Sequence, residues 1–111
     1  GVSQGDEEQS YSYVPPRPEG GKGKFRDYIR ENIKYPASAI EDQTKGTVKL
    51  KFKVEIDGEI KNMEVLKSLG KDFDEEAIRL INEGPKWEPA TENNNSIVKE
   101  VKIKIRFRVP G

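Results

Sequence analysis

Between Thr47 and Asp57 the chain reads TVKLKFKVEID. Its apolar residues Val48, Leu50, Phe52, Val54 and Ile56 alternate without a slip with Lys49, Lys51, Lys53 and Glu55. A strand sends successive side chains to opposite faces, so this alternation predicts one with an apolar and a charged face. Asp57-Gly58 follows at once, and then Ile60, Met63 and Val65. Asp-Gly between two such runs predicts a hairpin closed by a tight primed turn, because Gly accepts a positive φ. Near the C-terminus Val101, Ile103, Ile105, Phe107 and Val109 alternate with Lys102, Lys104, Arg106 and Arg108, predicting a second one-faced strand over Ile97–Val109.

Two stretches carry helical spacing instead. Phe25, Tyr28, Ile29 and Ile33 fall on one helix face, with Arg26, Asp27, Arg30 and Glu31 on the other. Pro36 disfavours helix at Tyr35 and ends this element near Lys34. A short second turn then spans Pro36–Ile40, and Gly46 releases the chain into the central strand. After Leu69-Gly70, Asp72 is placed as an N-cap with Glu75 three residues on, and Phe73, Ala77, Ile78 and Ile81 form an apolar face up to Gly84-Pro85.

The order helix, strand, strand, helix, strand predicts an α+β two-layer sandwich. A right-handed crossover lays the last strand beside the first, giving a three-stranded antiparallel sheet of order 2-1-3 with two helices on one face. Residues 1–20, acidic and proline-bearing without periodicity, read as a flexible lead-in or the end of a linker, and 21–111 as the domain. Tyr11, Tyr13 and Val14 are the apolar exception and could dock as a short edge strand.

Composition narrows the chemistry. The 111 residues are 32% hydrophobic and 36% charged, with twenty basic and twenty acidic side chains, so overall charge does not point to nucleic acid. Neither Cys nor His occurs, which excludes Cys/His zinc sites, thiol catalysis and Ser-His or Cys-His pairs. No apolar run approaches the roughly 20 residues that span a bilayer. The opening Gly-Val-Ser lacks an initiating Met and suggests a piece of a longer protein.

Asp72, Asp74, Glu75 and Glu76 are contiguous on a helix, so they diverge and read as a solvated helix start rather than a metal or acid/base cluster. No cofactor, metal or catalytic set is expected. If the first and last strands pair, Lys49, Lys51 and Lys53 lie beside Lys102, Lys104 and Arg106, with Arg108 beyond them. That panel is either a solvated face or a site for an anionic glycan, phosphate or acidic peptide. Trp87 in Pro85-Lys86-Trp87-Glu88-Pro89 is read as a core or cap residue. The last strand, at a sheet edge, can take an extended peptide by strand addition, unless Tyr11–Val14 or a dimer mate occupies it.

In order along the chain, Tyr35-Pro36, Gly46-Thr47-Val48, Phe52-Lys53-Val54, Asp57-Gly58, Val65 to Ser68, Phe73-Asp74-Glu75-Glu76-Ala77 and Pro85-Lys86-Trp87-Glu88-Pro89-Ala90 resemble the C-terminal domain of the energy transducer TonB. The resemblance runs from about Pro15 to Val109, and Pro18-Glu19-Gly20-Gly21 is similar to an element that precedes the first helix in many relatives. It implies a periplasmic, non-enzymatic domain of an inner-membrane-anchored protein. In the family this domain grips the TonB-box peptide of an outer-membrane transporter on its last strand, and an N-terminal anchor engages proton-motive-force-driven inner-membrane partners. The implied contact residues are Asn32, Ile33, Lys34, Tyr35 and Pro36, with Asn32 standing where relatives commonly carry Gln. On the last strand they are Ile97, Val98, Lys99, Val101, Ile103, Ile105 and Phe107. A strand-swapped homodimer is compatible with a free edge. The alternative function is a sensory or cell-wall-contacting domain of a membrane protein, such as a sensor peptidase, with the same fold.

Overall fold

The structure is a computed structural model that describes residues 10–108. Its elements are β1 (Tyr13–Val14), β2 (Arg17–Pro18), α1 (Gly21–Asn32), α2 (Ala37–Asp42), β3 (Lys45–Val54), β4 (Ile60–Lys67), α3 (Lys71–Asn82), β5 (Trp87–Glu88), β6 (Ala90–Glu92), β7 (Asn95–Ile97) and β8 (Lys99–Arg108). The main sheet has the order β4-β3-β8 with both pairings antiparallel, the expected 2-1-3 arrangement. β3 and β8 pair over their whole length, from Lys45 opposite Arg108 to Val54 opposite Lys99, with no slip.

Val48, Leu50, Phe52 and Val54 are wholly buried and face Phe73, Ala77, Leu80 and Ile81 of α3. Two aromatic chains tie the layers together. Trp87 makes edge contacts with Phe25 at 5.7 Å and Phe52 at 5.2 Å, joining α1 to β3. Phe107 likewise meets Phe73 at 5.2 Å and Tyr35 at 6.2 Å, joining β8 to α3 and to the α1–α2 link. Trp87 is thus a core residue.

Several expectations are corrected. The hairpin forms, but as a three-residue loop: Glu55 N–H donates to Glu59 O, Gly58 N–H donates to Glu55 O, and of Asp57 and Gly58 only Gly58 has positive φ (85°). That is a turn ending in a left-handed Gly rather than a primed two-residue turn. Ile56 consequently sits on the loop and is 60% exposed instead of extending the core face. Asp72 is no cap, because the helix already starts at Lys71 after Gly70. Asp74 reaches back instead, accepting from Leu69 N–H at 3.1 Å and from the Ser68 hydroxyl.

From residue 10 the supposed lead-in is paired. Arg17 lies opposite Glu88 with a 2.9 Å ion pair, Pro18 is buried opposite Trp87, and Tyr13–Val14 pairs with Thr91–Glu92. Residues 1–9 and Val109 lie outside the described residues. The polar Asn93-Asn94 loop is a β6–β7 hairpin turn with φ 50° and 70°, the primed geometry that Asn tolerates. Ile97 belongs to that hairpin, opposite Ala90, so the expected strand Ile97–Val109 is divided at Val98.

Glu76 is the other correction. Among the neighbouring acids it alone is buried, at 9% exposure. Its Oε1 accepts from Arg79 Nε at 2.7 Å, and its Oε2 accepts from Arg79 Nη2 at 2.8 Å and from the Lys34 N–H at 2.6 Å. Arg79 Nη2 also donates to the Asn32 carbonyl at 3.0 Å. The end of α1 and the link to α2 are thereby fastened to α3, and Tyr28 adds a hydroxyl bond to Leu80 O at 2.7 Å. Burial pushes the Glu76 carboxyl up, but the Arg79 hydrogen bonds and charge with the Lys34 N–H outweigh it and hold it below the ordinary glutamate range.

Two outcomes follow from this packing. A Cβ at Gly58 would stand 2.3 Å from the Trp87 carbonyl oxygen, on a left-handed backbone. Gly58→Ala should therefore cost at least about 1–2 kcal/mol, seen as a lower midpoint in thermal unfolding followed by Trp87 fluorescence. A lowered native pKa makes the Glu76 contribution full above pH ~4.3, with loss as pH falls through the native value. Glu76→Gln should cost roughly 1–3 kcal/mol at pH 7, less than a fully buried pair because Arg79 is partly solvated. In urea melts the gap to the wild type should narrow towards pH 3.

Candidate functional site: the outer edge of β8

The main sheet has two outer edges, and they differ. β4 is interrupted by its two register shifts, and a bulged edge is a poor template for another strand. β8 runs without interruption for ten residues, and among the described residues its outer side pairs with nothing. On the helix side it presents Val101 and Ile103, half-buried, then Ile105 and Phe107, buried. On the open side Lys102, Lys104, Arg106 and Arg108 are exposed.

Alongside the C-terminal half of β8 runs a groove of about 840 Å³ between the strand and α1. Its floor is Phe25, Ile29, Ile33, Tyr35 and Ile105, and its rim is Arg26, Arg30, Lys104, Arg106 and Arg108. α1 contributes an apolar stripe of which no residue is fully buried, so the sheet covers that stripe incompletely. Arg30 pairs with Asp27 at 2.8 Å. The other four rim cations have no carboxylate within ion-pair distance among the described residues.

The expected contact residues divide between places. Ile33, Tyr35 and Ile105 line the groove. Lys34 and Pro36 line a second depression with Asp72, Glu75, Glu76 and Arg79, and Tyr35 borders both. Asn32 is occupied locally: its Nδ2 donates to Tyr28 O at 2.8 Å and its carbonyl accepts from Arg79. Val101 and Ile103 lie on the half of β8 beyond the groove, and Phe107 is packed beneath Tyr35. Ile97 and Val98 precede β8, with Ile97 held by β6, whereas Lys99 begins it and sits 5.6 Å from the Tyr13 ring centroid. The groove residues Phe25, Arg26, Ile29 and Arg30 were not singled out from the sequence. Phe25 and Ile29 carry the same helical spacing as a core face, and periodicity does not say how completely a face is covered.

The basic panel is assembled by the register. Lys49 stands opposite Lys104 and Lys51 opposite Lys102, while Lys53 meets Glu100 and Arg106 meets Thr47. Across the other pairing Lys49 faces Lys67 and Lys53 faces Lys61. Directly opposed like charges are unfavourable, so this face holds uncompensated positive charge in a chain that nets zero. Lys61, with Glu55 at 3.9 Å and Glu59 at 4.0 Å, and Lys51 are the exceptions: Glu64 at 3.2 Å and Glu100 at 3.7 Å pair with Lys51. The Glu64 hydrogen bond is the chief reason its pKa is raised. Among the described residues no three acidic side chains gather as a metal site would need.

Comparison with known proteins agrees with this architecture. The family of the Gram-negative bacterial TonB protein C-terminal matches residues 31–109. The solution structure of the Helicobacter pylori TonB C-terminal domain, residues 179–285, superposes with a TM-score of 0.57 at 20% identity, covering 84% of this chain and 88% of that one. A shorter form of the same domain, residues 194–285, gives 0.56 at 23% identity, covering 77% and 89%. These likenesses establish the common fold. No curated protein matches the chain in sequence. With the family matched over most of its length, the chain belongs to the TonB C-terminal domain family, non-enzymatic protein-interaction domains of TonB-like proteins in the Gram-negative periplasm.

Proposed function

We propose that this domain captures the TonB-box peptide of an outer-membrane transporter by adding it as a fourth strand to the outer edge of β8. It then passes on the pull of inner-membrane partners driven by the proton motive force. The observation that carries this reading is the uninterrupted β8 edge, Lys99–Arg108, unpaired among the described residues and set against a β4 edge broken by bulges. Backbone hydrogen bonds would supply the affinity, as in other strand-addition complexes. Ile33 and Tyr35, next to that edge in the groove, would add side-chain contacts, held in place through the Glu76–Arg79 clamp on Asn32 and Lys34.

A second reading has its own support in the opposed lysines of the open sheet face, which suit an anionic glycan and so a cell-wall-contacting or sensory domain. The two make different demands on the protein, since one engages backbone along β8 and the other engages Lys49, Lys102 and Lys104.

Peptides separate them without disturbing the domain. A TonB-box peptide N-methylated at alternate amides loses either the donors facing β8 or those facing away. One methylated set should bind at least roughly tenfold more weakly by NMR titration, each lost hydrogen bond being worth about 0.5–1.5 kcal/mol, and the other set should bind nearly as the parent does. Equal binding by both sets would end the strand-addition reading. Shifts confined to the lysine face, seen only with glycan fragments, would favour the second.

A further inference from the structure

Strand addition concerns backbone, and the side chains around β8 specify more. Any strand laid on that edge points alternate side chains to opposite sides of the sheet. One set would enter the groove over Ile29, Ile33, Tyr35 and Ile105, and the other would stand beside Lys102, Lys104 and Arg106 on the open face. We infer that the segment this edge selects alternates apolar and acidic residues, with aliphatic side chains seated in the α1–β8 groove and carboxylates at the intervening positions facing Lys104 and Arg106. The inference rests on the strand-addition reading and adds the chemistry of the partner.

The apolar half follows from incomplete cover. α1 buries none of its residues fully, yet Phe25 and Ile29 form a stripe along it that Ile33 continues at its C-cap, and they floor the groove rather than close it. Its volume is several times the roughly 150 Å³ that accepts a benzene ring, so more than one aliphatic side chain fits. The groove flanks only the part of β8 near Ile105, which places the apolar anchors at that end of the added strand.

The acidic half follows from charge. Among the described residues no carboxylate lines the groove, and the neighbour of Lys104 across the sheet is Lys49, so no described side chain of the sheet neutralises it. A second copy of β8 is a poor occupant, because it would bring Lys102, Lys104 and Arg106 against their own like charges. A strand with acids at every second position relieves that repulsion while its other face fills the groove.

The test uses synthetic peptides of about ten residues, the length of β8. The first alternates Glu and Val, the second replaces every Glu by Gln, and the third has the composition of the first with its Glu and Val residues in separate blocks. Binding is followed by amide shifts in β8 and by Trp87 fluorescence. The alternating Glu peptide should bind roughly tenfold more tightly than either control, and about 0.5 M salt should erase its advantage over the Gln peptide. The exposed-face variant Lys104→Glu/Arg106→Glu should reverse the order of the Glu peptide and a Lys-Val counterpart. Equal binding of the Glu and Gln peptides with shifts along β8 would leave strand addition standing and overturn the acidic preference. Equal binding of the blocked peptide would overturn the alternation, leaving only general charge attraction. Absence of β8 shifts with every peptide, the TonB-box peptide included, would overturn both readings.

Discussion

Four side chains of β3, Val48, Leu50, Phe52 and Val54, are removed wholly from water at about 1.5–3 kcal/mol each, and the need to cover them places the remaining elements. α3 covers them directly with Phe73, Ala77, Leu80 and Ile81. α1 does so through an intermediary, Trp87, which stands between Phe25 and Phe52. The charged face of the same strand cannot be buried, so the sheet remains one-sided. Because β3 lies in the middle, its two neighbours become the edges, and the properties of those edges follow from their registers.

The indirect cover by α1 leaves a consequence beside β8. Phe25, Tyr28 and Ile29 pack against the core without being fully buried, and the groove is the space left between that helix face and Ile105. Its walls are kept in place from below. Glu76 and Arg79 hold the backbone of Asn32 and Lys34, so the Ile33 and Tyr35 side chains between and beyond them are set against the strand. A partly buried ion pair on the helix that covers the core is thus explained by the loop it positions.

Much of this was legible because period-two and period-3.6 patterns are strict here. The alternation in β3 and β8 and the apolar face of α3 were each enough to place an element, and the chirality of the crossover fixed the strand order. What was not legible depended on partners distant in sequence. Tyr13–Val14 and Arg17–Pro18 carry no periodicity and are ordered by residues 86–93, whose own hairpin hinges on two asparagines in left-handed conformation. Glu76 looks like its acidic neighbours until Arg79 and the Lys34 N–H are brought to it. Of the candidate site, the edge strand could be derived and the Tyr35 region followed from family likeness. The half-covered stripe of α1 has the same spacing as a fully covered one, and only packing distinguishes them.

The unbroken β3–β8 register also has a mechanical meaning. A force along the axis of β8, or along a strand laid against its outer side, loads the inter-strand hydrogen bonds in shear, so that all of them share the tension and yield together. β4, with its slips near Leu50 and Phe52, distributes load unevenly and can be peeled from one end. The two edges of the sheet are therefore mechanically unequal: an axial load on β8 meets an unbroken ladder, and the same load on β4 meets one divided by two shifts.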